Sequence, residues 1–251
     1  MPEVQQISDV TYPKRVVVTG AASGIGRATA LTLRARGSEV LAVDINAAGL
    51  PDDCETLACD VTRAEDRERL YAAAGEIDGL VNAAGIIRLV AVPDVTEADW
   101  DAILAVNVKA LFFLARDFGL RMGDGAAIVN VASTSAKVNT TTEALAYGSS
   151  KAAVHAITRG LAQYFGPAGV RVNAVLPGII DTPMQDRVIA DVAAIRGVDP
   201  AELHHQRLQT VPLRKAGPPE EVADVVAMLL SSATRYVSGQ ALAIDGGQIM
   251  Q

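Results

Sequence analysis

The chain has 251 residues, of which 50% are hydrophobic and 20% are charged, so its composition excludes a disordered protein and permits a sizeable core. Its formal net charge of −7 argues against a nucleic-acid-binding surface, and no apolar run reaches the roughly 18–20 residues that span a bilayer. The polar first residues show no secretory signal. We therefore expect a flexible extension over residues 1–12, one domain over residues 13–251, a cytoplasmic location, and neither nucleic-acid nor membrane partners.

Hydrophobic patterning predicts strands that alternate with helices along the whole chain. The predicted strands are residues 15–20, 38–44, 56–60, 78–85, 126–133, 170–177 and 241–247. The predicted helices are residues 24–36, 64–74, 96–122, 147–165 and 219–231. Thr96 is the predicted N-cap of the third helix, with Asp99 three residues later. The linker around Pro51 is too short to hold a crossover helix with its loops.

Strands that alternate with helices in this way are typical of a parallel sheet covered on both faces. No linker, repeat or low-complexity block interrupts the pattern. We predict an α/β fold with a single doubly wound parallel sheet, Rossmann-like, flanked by helices on both faces.

A glycine-rich turn joins the first predicted strand to the first predicted helix. Gly20, Gly24 and Gly26 give it the spacing G-x3-G-x-G, with Ser23 and Ile25 between them. Glycines let the backbone approach a pyrophosphate, whose charge then faces the free N–H groups at the start of the helix. The turn predicts a dinucleotide site, and a glycine-rich turn without a ligand is the alternative.

Asp44 ends the second predicted strand. A carboxylate there can accept hydrogen bonds from both hydroxyls of an adenosine ribose, whereas it would repel a 2′-phosphate. Ile45 and Asn46 follow it, and neither they nor the glycine turn supply an arginine or lysine. The pattern favours NAD over NADP as the cofactor, with a solvated aspartate as the alternative.

Tyr147 and Lys151 stand four residues apart in a predicted helix, so both project from one face. Lowering the pKa of tyrosine from about 10 to about 7 takes roughly 4 kcal/mol. One cation about 4 Å away supplies about that much at an effective dielectric of about 20. We therefore expect Lys151, reinforced by an oxidised nicotinamide, to make Tyr147 an acid–base group. Ser133, at the end of the fifth predicted strand, can hold the substrate oxygen beside the phenol, although such a pattern also arises by chance.

Several short motifs occur in the order and spacing of the short-chain dehydrogenase/reductase family. They are Thr19-Gly20…Gly24-Ile25-Gly26, Asn82-Ala83-Ala84-Gly85, Asn107, Ser133, Tyr147…Lys151 and Pro177-Gly178. The resemblance covers residues 14–247. It implies an enzyme that moves a hydride between a nicotinamide cofactor and an alcohol or ketone carbon.

The same resemblance implies roles for individual residues. Tyr147 would be the acid–base group, Lys151 would lower its pKa and hold the nicotinamide ribose, and Ser133 would orient the substrate oxygen. Asn107 would hold a water that completes a proton relay to Lys151. Further contacts with the cofactor are implied for Gly20, Ser23, Gly24, Ile25, Gly26, Asp44, Asp60, Val61, Asn82, Gly85, Pro177, Ile180 and Thr182.

The family's usual Asn-Asn-Ala-Gly motif is Asn-Ala-Ala-Gly in this chain. This variant, the missing crossover helix after Asp44, and the run Ile86-Ile87-Arg88 resemble the 2,3-dihydro-2,3-dihydroxybenzoate dehydrogenases. Residues 181–185 resemble them more loosely.

The segment between Ser133 and Tyr147 leaves the fifth predicted strand beside the catalytic serine, so we expect it to border the substrate. It is rich in hydroxyl groups and poor in aromatic residues. The predicted substrate residues are Arg88, Ser135, Lys137 and Gln185. We expect a small, polar, hydroxyl-rich substrate, and a carboxylate on it could meet Arg88 or Lys137. A solvated polar loop is the alternative.

Two further expectations concern metals and assembly. Cys54 and Cys59 lack a second pair of metal ligands, so we expect thiols, with no metal site and no disulfide. The predicted helices 96–122 and 147–165 are apolar over more than one stripe, which indicates burial on both sides. The family resemblance makes a homotetramer the expected assembly.

Two other functions compete with that of an NAD-dependent alcohol dehydrogenase. An NADPH-dependent 3-ketoacyl-type reductase is disfavoured by Asp44 and by the absence of a basic patch for a carrier protein. A catalytically silent nucleotide-binding regulator is disfavoured by the presence of Ser133, Tyr147 and Lys151, since a sensor needs no acid–base group.

Overall fold

The computed structural model describes residues 10–139 and 141–249, so residues 1–9 of the predicted extension lie outside the described part. Thr11 and Tyr12 belong to the folded domain. The amide N of Thr11 donates to Ser232 Oγ at 2.8 Å, and the Arg36 guanidinium donates to the Tyr12 hydroxyl at 2.8 Å. The folded domain therefore begins before residue 13.

One parallel sheet of seven strands forms the centre of the described domain. The strands are β1 (Arg15–Thr19), β2 (Glu39–Asp44), β3 (Glu55–Ala58), β4 (Gly79–Asn82), β5 (Ala127–Val131), β6 (Arg171–Pro177) and β7 (Ala241–Ile244). Their order is β3-β2-β1-β4-β5-β6-β7, and every neighbouring pair is parallel. The chain thus winds outward in both directions from β1, which confirms the predicted Rossmann-like topology.

Helices cover both faces of this sheet. They are α1 (Gly24–Ala35), α2 (Ala64–Ala74), α3 (Glu97–Leu104), α4 (Leu111–Gly119), α5 (Leu145–Phe165), α6 (Pro183–Arg196), α7 (Pro200–Gln209) and α8 (Pro219–Leu230). Side chains alternate along a strand, so Val16 and Val18 pack with α1 and α8 whereas Val17 packs with α2, α4 and α5. Each face of the sheet therefore has its own hydrophobic core.

The helix predicted over residues 96–122 consists of α3 and α4 joined by a π-helical segment, Ala105–Ala110. It begins at the predicted cap, because Thr96 and Asp99 each accept a hydrogen bond from the other's backbone N–H. π-helical turns are rare and occur frequently at functional sites. Asn107, a predicted site residue, lies in this segment.

Residues 183–209 form α6 and α7, which the hydrophobic patterning does not predict. The sequence does contain signals for where both helices begin and for where α6 ends. Thr182 and Asp199 are N-caps that accept from backbone N–H groups three residues later, and each is followed by a proline. Gly197 ends α6 with a φ of +65°.

The connection between β2 and β3 contains one 3-10 turn, Ala47–Gly49, in place of a crossover helix, as predicted.

Cys54 and Cys59 in this region are free thiols, and burial raises the pKa of Cys59 to about 11. The described residues hold no cluster of three or more His, Cys, Asp and Glu side chains placed for a metal. None of the described helices is long and apolar enough to cross a membrane. The cytoplasmic location stays a prediction.

Candidate active site

A cleft of about 440 Å³ opens at the carboxyl ends of the strands, where open α/β sheets hold ligands. The predicted site residues that line it are Gly20, Ser23, Gly24, Ile25, Gly26, Asp44, Asp60, Val61, Gly85, Ser133, Ser135, Tyr147, Lys151, Pro177, Ile180, Thr182 and Gln185. Four other predicted residues are not part of this lining: Asn82, Arg88, Asn107 and Lys137.

The glycine turn after β1 is tightly packed against the neighbouring backbone and lines the cleft. A Cβ on Gly26 would collide with the carbonyl oxygen of Gly20, and a Cβ on Gly20 would lie 2.7 Å from the backbone N of Ala84. Ser23, the N-cap of α1, makes no side-chain capping hydrogen bond, so the first N–H groups of the helix remain available. A cradle of small residues facing free amides fits a pyrophosphate.

Asp44 is fixed at the end of β2 by two backbone donors. Its Oδ2 accepts from the backbone N of Ala22 at 3.0 Å, and its Oδ1 accepts from the backbone N of Asn46 at 2.9 Å. Asp60 lies near it after β3, where its Oδ1 accepts from the N–H and the hydroxyl of Thr62. This end of the cleft is therefore acidic and rigid, and Val61 forms part of its wall.

Ser133, Tyr147 and Lys151 come together beside the end of β5. The hydroxyl groups of Ser133 and Tyr147 share a hydrogen bond. Lys151 Nζ donates to the carbonyl oxygen of Val131 at 2.8 Å and lies 5.6 Å from the centre of the Tyr147 ring. The arrangement can hold a substrate oxygen between two hydroxyl groups with a cation close by.

Burial shifts the pKa values of both Tyr147 and Lys151 in the protein by itself. Burial raises the pKa of Tyr147 to about 12, and the hydrogen bond with Ser133 offsets only part of that rise. Burial also lowers the pKa of Lys151 to about 8. Lys151 is itself desolvated, so the lowering of the Tyr147 pKa by Lys151 together with an oxidised nicotinamide stays a prediction for the enzyme with its cofactor bound.

Asn107 ties three parts of the site together. Its Oδ1 accepts from the N–H of Ile86 at 2.9 Å, and its Nδ2 donates to the carbonyl oxygen of Ile86 at 2.9 Å and to Ser150 Oγ at 3.0 Å. A Cβ on Gly85 would lie 3.4 Å from both Asn107 Oδ1 and Lys151 Nζ. The side chain thus holds the segment after β4 against α5, and its role in a proton relay stays a prediction.

Asn82 is buried beneath the cleft. Its Nδ2 donates to Asn130 Oδ1 at 3.0 Å, and Asn130 in turn donates to Thr158 on α5. This chain of amides crosses from β4 through β5 to the catalytic helix. The contribution of Asn82 to cofactor binding, implied by the resemblance, stays a prediction.

Two of the predicted substrate residues do not line the cleft in this structure, so their contact with a substrate stays a prediction. Arg88 pairs with Asp99 at 2.8 Å on the surface, with 48% of its side chain exposed, whereas Ile86, Ile87 and Leu89 beside it line the cleft. Lys137 lies outside the cleft lining, near His155, whose pKa is lowered by burial first and then by the charges of Arg159 and Lys137. Ser135 and Gln185 do line the cleft, which leaves the substrate end without either predicted cation.

The structure also adds residues that the sequence analysis missed. Arg207, on the unpredicted α7, lines the cleft. Glu143, between Ser133 and Tyr147, forms an ion pair with Arg196 of α6 at 2.7 and 2.8 Å. That pair lowers the pKa of Glu143 to about 2 and links the catalytic loop to α6. The caps at Thr182 and Asp199 are the sequence signal that could have revealed these helices.

Known proteins resemble this chain over nearly its whole length. A family profile described as enoyl-(acyl carrier protein) reductase matches residues 20–248. A 3-oxoacyl-(acyl-carrier-protein) reductase of Thermotoga maritima is 35% identical over 94% of this chain and 98% of its own. Galactitol 2-dehydrogenase (L-tagatose-forming) of Cereibacter sphaeroides is 37% identical over 92% of each chain. The solved structure of a short chain dehydrogenase family protein from Francisella tularensis superposes with a TM-score of 0.86 at 27% identity, over 94% of this chain and 98% of that one.

The contact between Ser133 and Tyr147 predicts the effect of removing one hydroxyl group. We expect Tyr147→Phe to lower turnover by about 10² to 10⁴, because the ring packing stays and the proton donor is lost. Cofactor affinity, measured by fluorescence titration, should change little. Tyr164→Phe is the matched control, since Tyr164 is exposed on the same helix. A Tyr147→Phe enzyme that keeps more than a tenth of wild-type turnover would show that another group is the base.

Proposed function

We propose that this chain, which belongs to the short-chain dehydrogenase/reductase family, interconverts a secondary alcohol and a ketone on a small polar substrate with NAD as its cofactor. Membership of that family makes it an oxidoreductase that uses a nicotinamide cofactor. One observation carries the assignment of the chemistry. The Ser133 and Tyr147 hydroxyl groups share a hydrogen bond in the cleft, within reach of the Lys151 ammonium.

The proposed chemistry divides the reaction between hydride and proton. When bound, the nicotinamide ring accepts the hydride in oxidation and supplies it in reduction. Tyr147 takes the proton of the substrate hydroxyl in oxidation and returns it in reduction. Ser133 holds the substrate oxygen beside the phenol, and Lys151 stabilises the phenolate that forms.

The lining of the cleft supports NAD over NADP. Asp44 lies fixed at the adenosine end, and Asp60 adds a second acid there. Among the described residues that line the cleft, the cations are Lys151 and Arg207. Lys151 lies on α5 and Arg207 on α7, so neither belongs to the segments that follow β2 and β3. A 2′-phosphate at the adenosine end would therefore meet two carboxylates and no cation from this lining.

Replacing Asp44 tests the choice of cofactor. We expect wild-type kcat/KM to favour NAD by about a hundredfold or more, because a like-charge placement costs several kcal/mol. Asp44→Ala should erode that preference. Asp52→Ala, which removes the same charge from an exposed position in the next linker, should leave it unchanged. Equal kcat/KM for NAD and NADP in the wild type would contradict the assignment.

The substrate end combines hydroxyl and amide groups with apolar walls. The polar lining there includes Ser133, Ser135, Gln185 and Arg207, and the apolar lining includes Leu89 and Val188. Few convergent polar groups among aliphatic walls suit a small substrate with several hydroxyl groups. The relative from Cereibacter sphaeroides, named for oxidation of the polyol galactitol, supports this substrate class.

A second function has support from the comparisons. The Thermotoga maritima relative reduces 3-oxoacyl groups on a carrier protein, as its name states, and the matching family profile is also named for an acyl-carrier-protein reductase. The acidic adenosine end disfavours NADPH in this chain. Activity with acetoacetyl thioesters and NADPH, set against activity with polyols and NAD, separates the two functions.

A panel of alcohols tests the proposed substrate class. We expect small polyols and hydroxylated ring acids to give higher kcat/KM than C8–C12 alcohols or steroids, because the cleft offers polar partners close to Ser133. The absorbance of NADH follows each reaction. A tenfold advantage for the hydrophobic alcohols would contradict the polar assignment.

We also propose a homotetramer, as the family resemblance implies. Ala152 and Ala156 are exposed on the outer face of α5, and Phe112 of α4 is half-buried. Phe113 has partners inside the chain, because the guanidinium groups of Arg67 and Arg116 lie over its ring. The remaining apolar surface of α4 and α5 supports burial against another copy of the chain.

Multi-angle light scattering tests the assembly. We expect a mass four times that of one chain, because small apolar residues on the outer face of α5 permit close helix packing. Ala152→Glu should lower that mass, since a carboxylate would be buried in the contact. Gly123→Glu, in a loop with open space around it, is the control. A monomeric wild type would contradict the proposal.

A further inference from the structure

Two nitrogen atoms on residues that line the cleft have no hydrogen-bond partner within the described part of the chain. They are Nη1 of Arg207 on α7 and Nε2 of Gln185 on α6, and both atoms are shielded from solvent. A buried donor without an acceptor costs about 1–3 kcal/mol, and more when it is charged. Since buried polar groups in folded proteins are nearly always satisfied, this pair indicates an acceptor that the chain itself does not supply.

Arg207 keeps its charge in an unfavourable place. Burial lowers its pKa, and the nearby guanidinium of Arg196 lowers it further. Glu143 is already engaged in two hydrogen bonds with Arg196. An arginine stays protonated in proteins, so a bound anion would stabilise Arg207 through a charge-assisted hydrogen bond.

The strand order places these donors at the substrate end of the cleft. Asp44 and Asp60 follow β2 and β3, on one side of the β1–β4 centre of the sheet. Ser133 follows β5 and Gln185 follows β6, on the other side. Arg207 reaches the same region because α7 packs with α6 and with the segment after β4. The glycine turn, which fits the pyrophosphate, belongs to β1 and α1 between the two ends.

We propose that Arg207 and Gln185 bind a carboxylate of the substrate, so that the enzyme acts on hydroxy acids and oxo acids. This inference rests on the proposed dehydrogenase function. A carboxylate can accept from a guanidinium and an amide at once. A carboxylate carries one negative charge, which the single charge of Arg207 balances. Lys151, the other cation in the described lining, already donates to the carbonyl oxygen of Val131 and lies over the ring of Tyr147. A phosphate carries about −1.5 to −2 charges and would need a second free cation.

Binding of small anions tests the proposal without any turnover. Malonate, malonamide and inorganic phosphate are titrated into the NADH-saturated enzyme, and the shift in Tm gives an apparent Kd for each. We expect malonate to bind the wild type and malonamide not to. Arg207→Leu should weaken malonate by about tenfold or more, Gln185→Leu by a few-fold, and Arg207→Lys by an intermediate amount. Arg187→Leu, which removes an exposed cation from α6, should change nothing.

Three results would overturn the proposal. They are malonate binding that survives in Arg207→Leu, phosphate binding tenfold tighter than malonate, or a tenfold loss of NADH affinity in Arg207→Leu, which would assign the guanidinium to the cofactor. If Arg207→Leu does not fold, Arg207→Lys together with the difference between malonate and malonamide gives the answer. Malonate binding that depends on Arg207 in a protein that oxidises no alcohol would instead refute the proposed function and leave the anion site standing.

Discussion

The site depends on the burial of Tyr147 and Lys151 in one small volume at the end of β5. Burial disfavours the charged form of each group, so it raises the pKa of the phenol to about 12 and lowers that of the ammonium to about 8. Such a tyrosine holds its proton until positive charge is brought close to it. The groups that surround Tyr147 and Lys151 therefore act together. They hold the phenol and the ammonium where a molecule bound in the cleft can contact both.

The fold meets this constraint through buried polar contacts between elements that are distant in the chain. Asn107 lies in the π-helical segment and bonds both to the backbone of Ile86 after β4 and to Ser150, the residue before Lys151. Ser150 in turn donates to the carbonyl oxygen of Tyr147 at 2.6 Å. These bonds fix the start of α5 against the segment after β4, so the catalytic helix and one wall of the cleft are positioned by the same amide.

The sequence predicted the parts of the site that depend on strand ends and failed where tertiary packing decides. Apolar runs and glycine spacing place Asp44 and Ser133 at the edge of the sheet, because the carboxyl ends of parallel strands share that edge. Arg88 is at the right place along the chain, but its side chain pairs with Asp99 on the surface, which composition does not show. Arg207 enters the cleft only because α7 packs on α6, and those helices have weak apolar periodicity although their caps are clear. The sequence argument considered only nearby charge and not desolvation, so it missed that burial raises the pKa of Tyr147 in the protein by itself.

The most direct test of this account is the ionisation of Tyr147, followed by ultraviolet difference absorbance between the wild type and Tyr147→Phe as pH rises. For the protein by itself, the account predicts no tyrosinate at this position below about pH 10, since burial holds the pKa near 12. With oxidised NAD, it predicts a midpoint about three pH units lower, because one nearby cation contributes roughly that much. A midpoint that does not move on addition of NAD, or a tyrosinate already present near neutral pH without it, would contradict the claim that added positive charge controls this base.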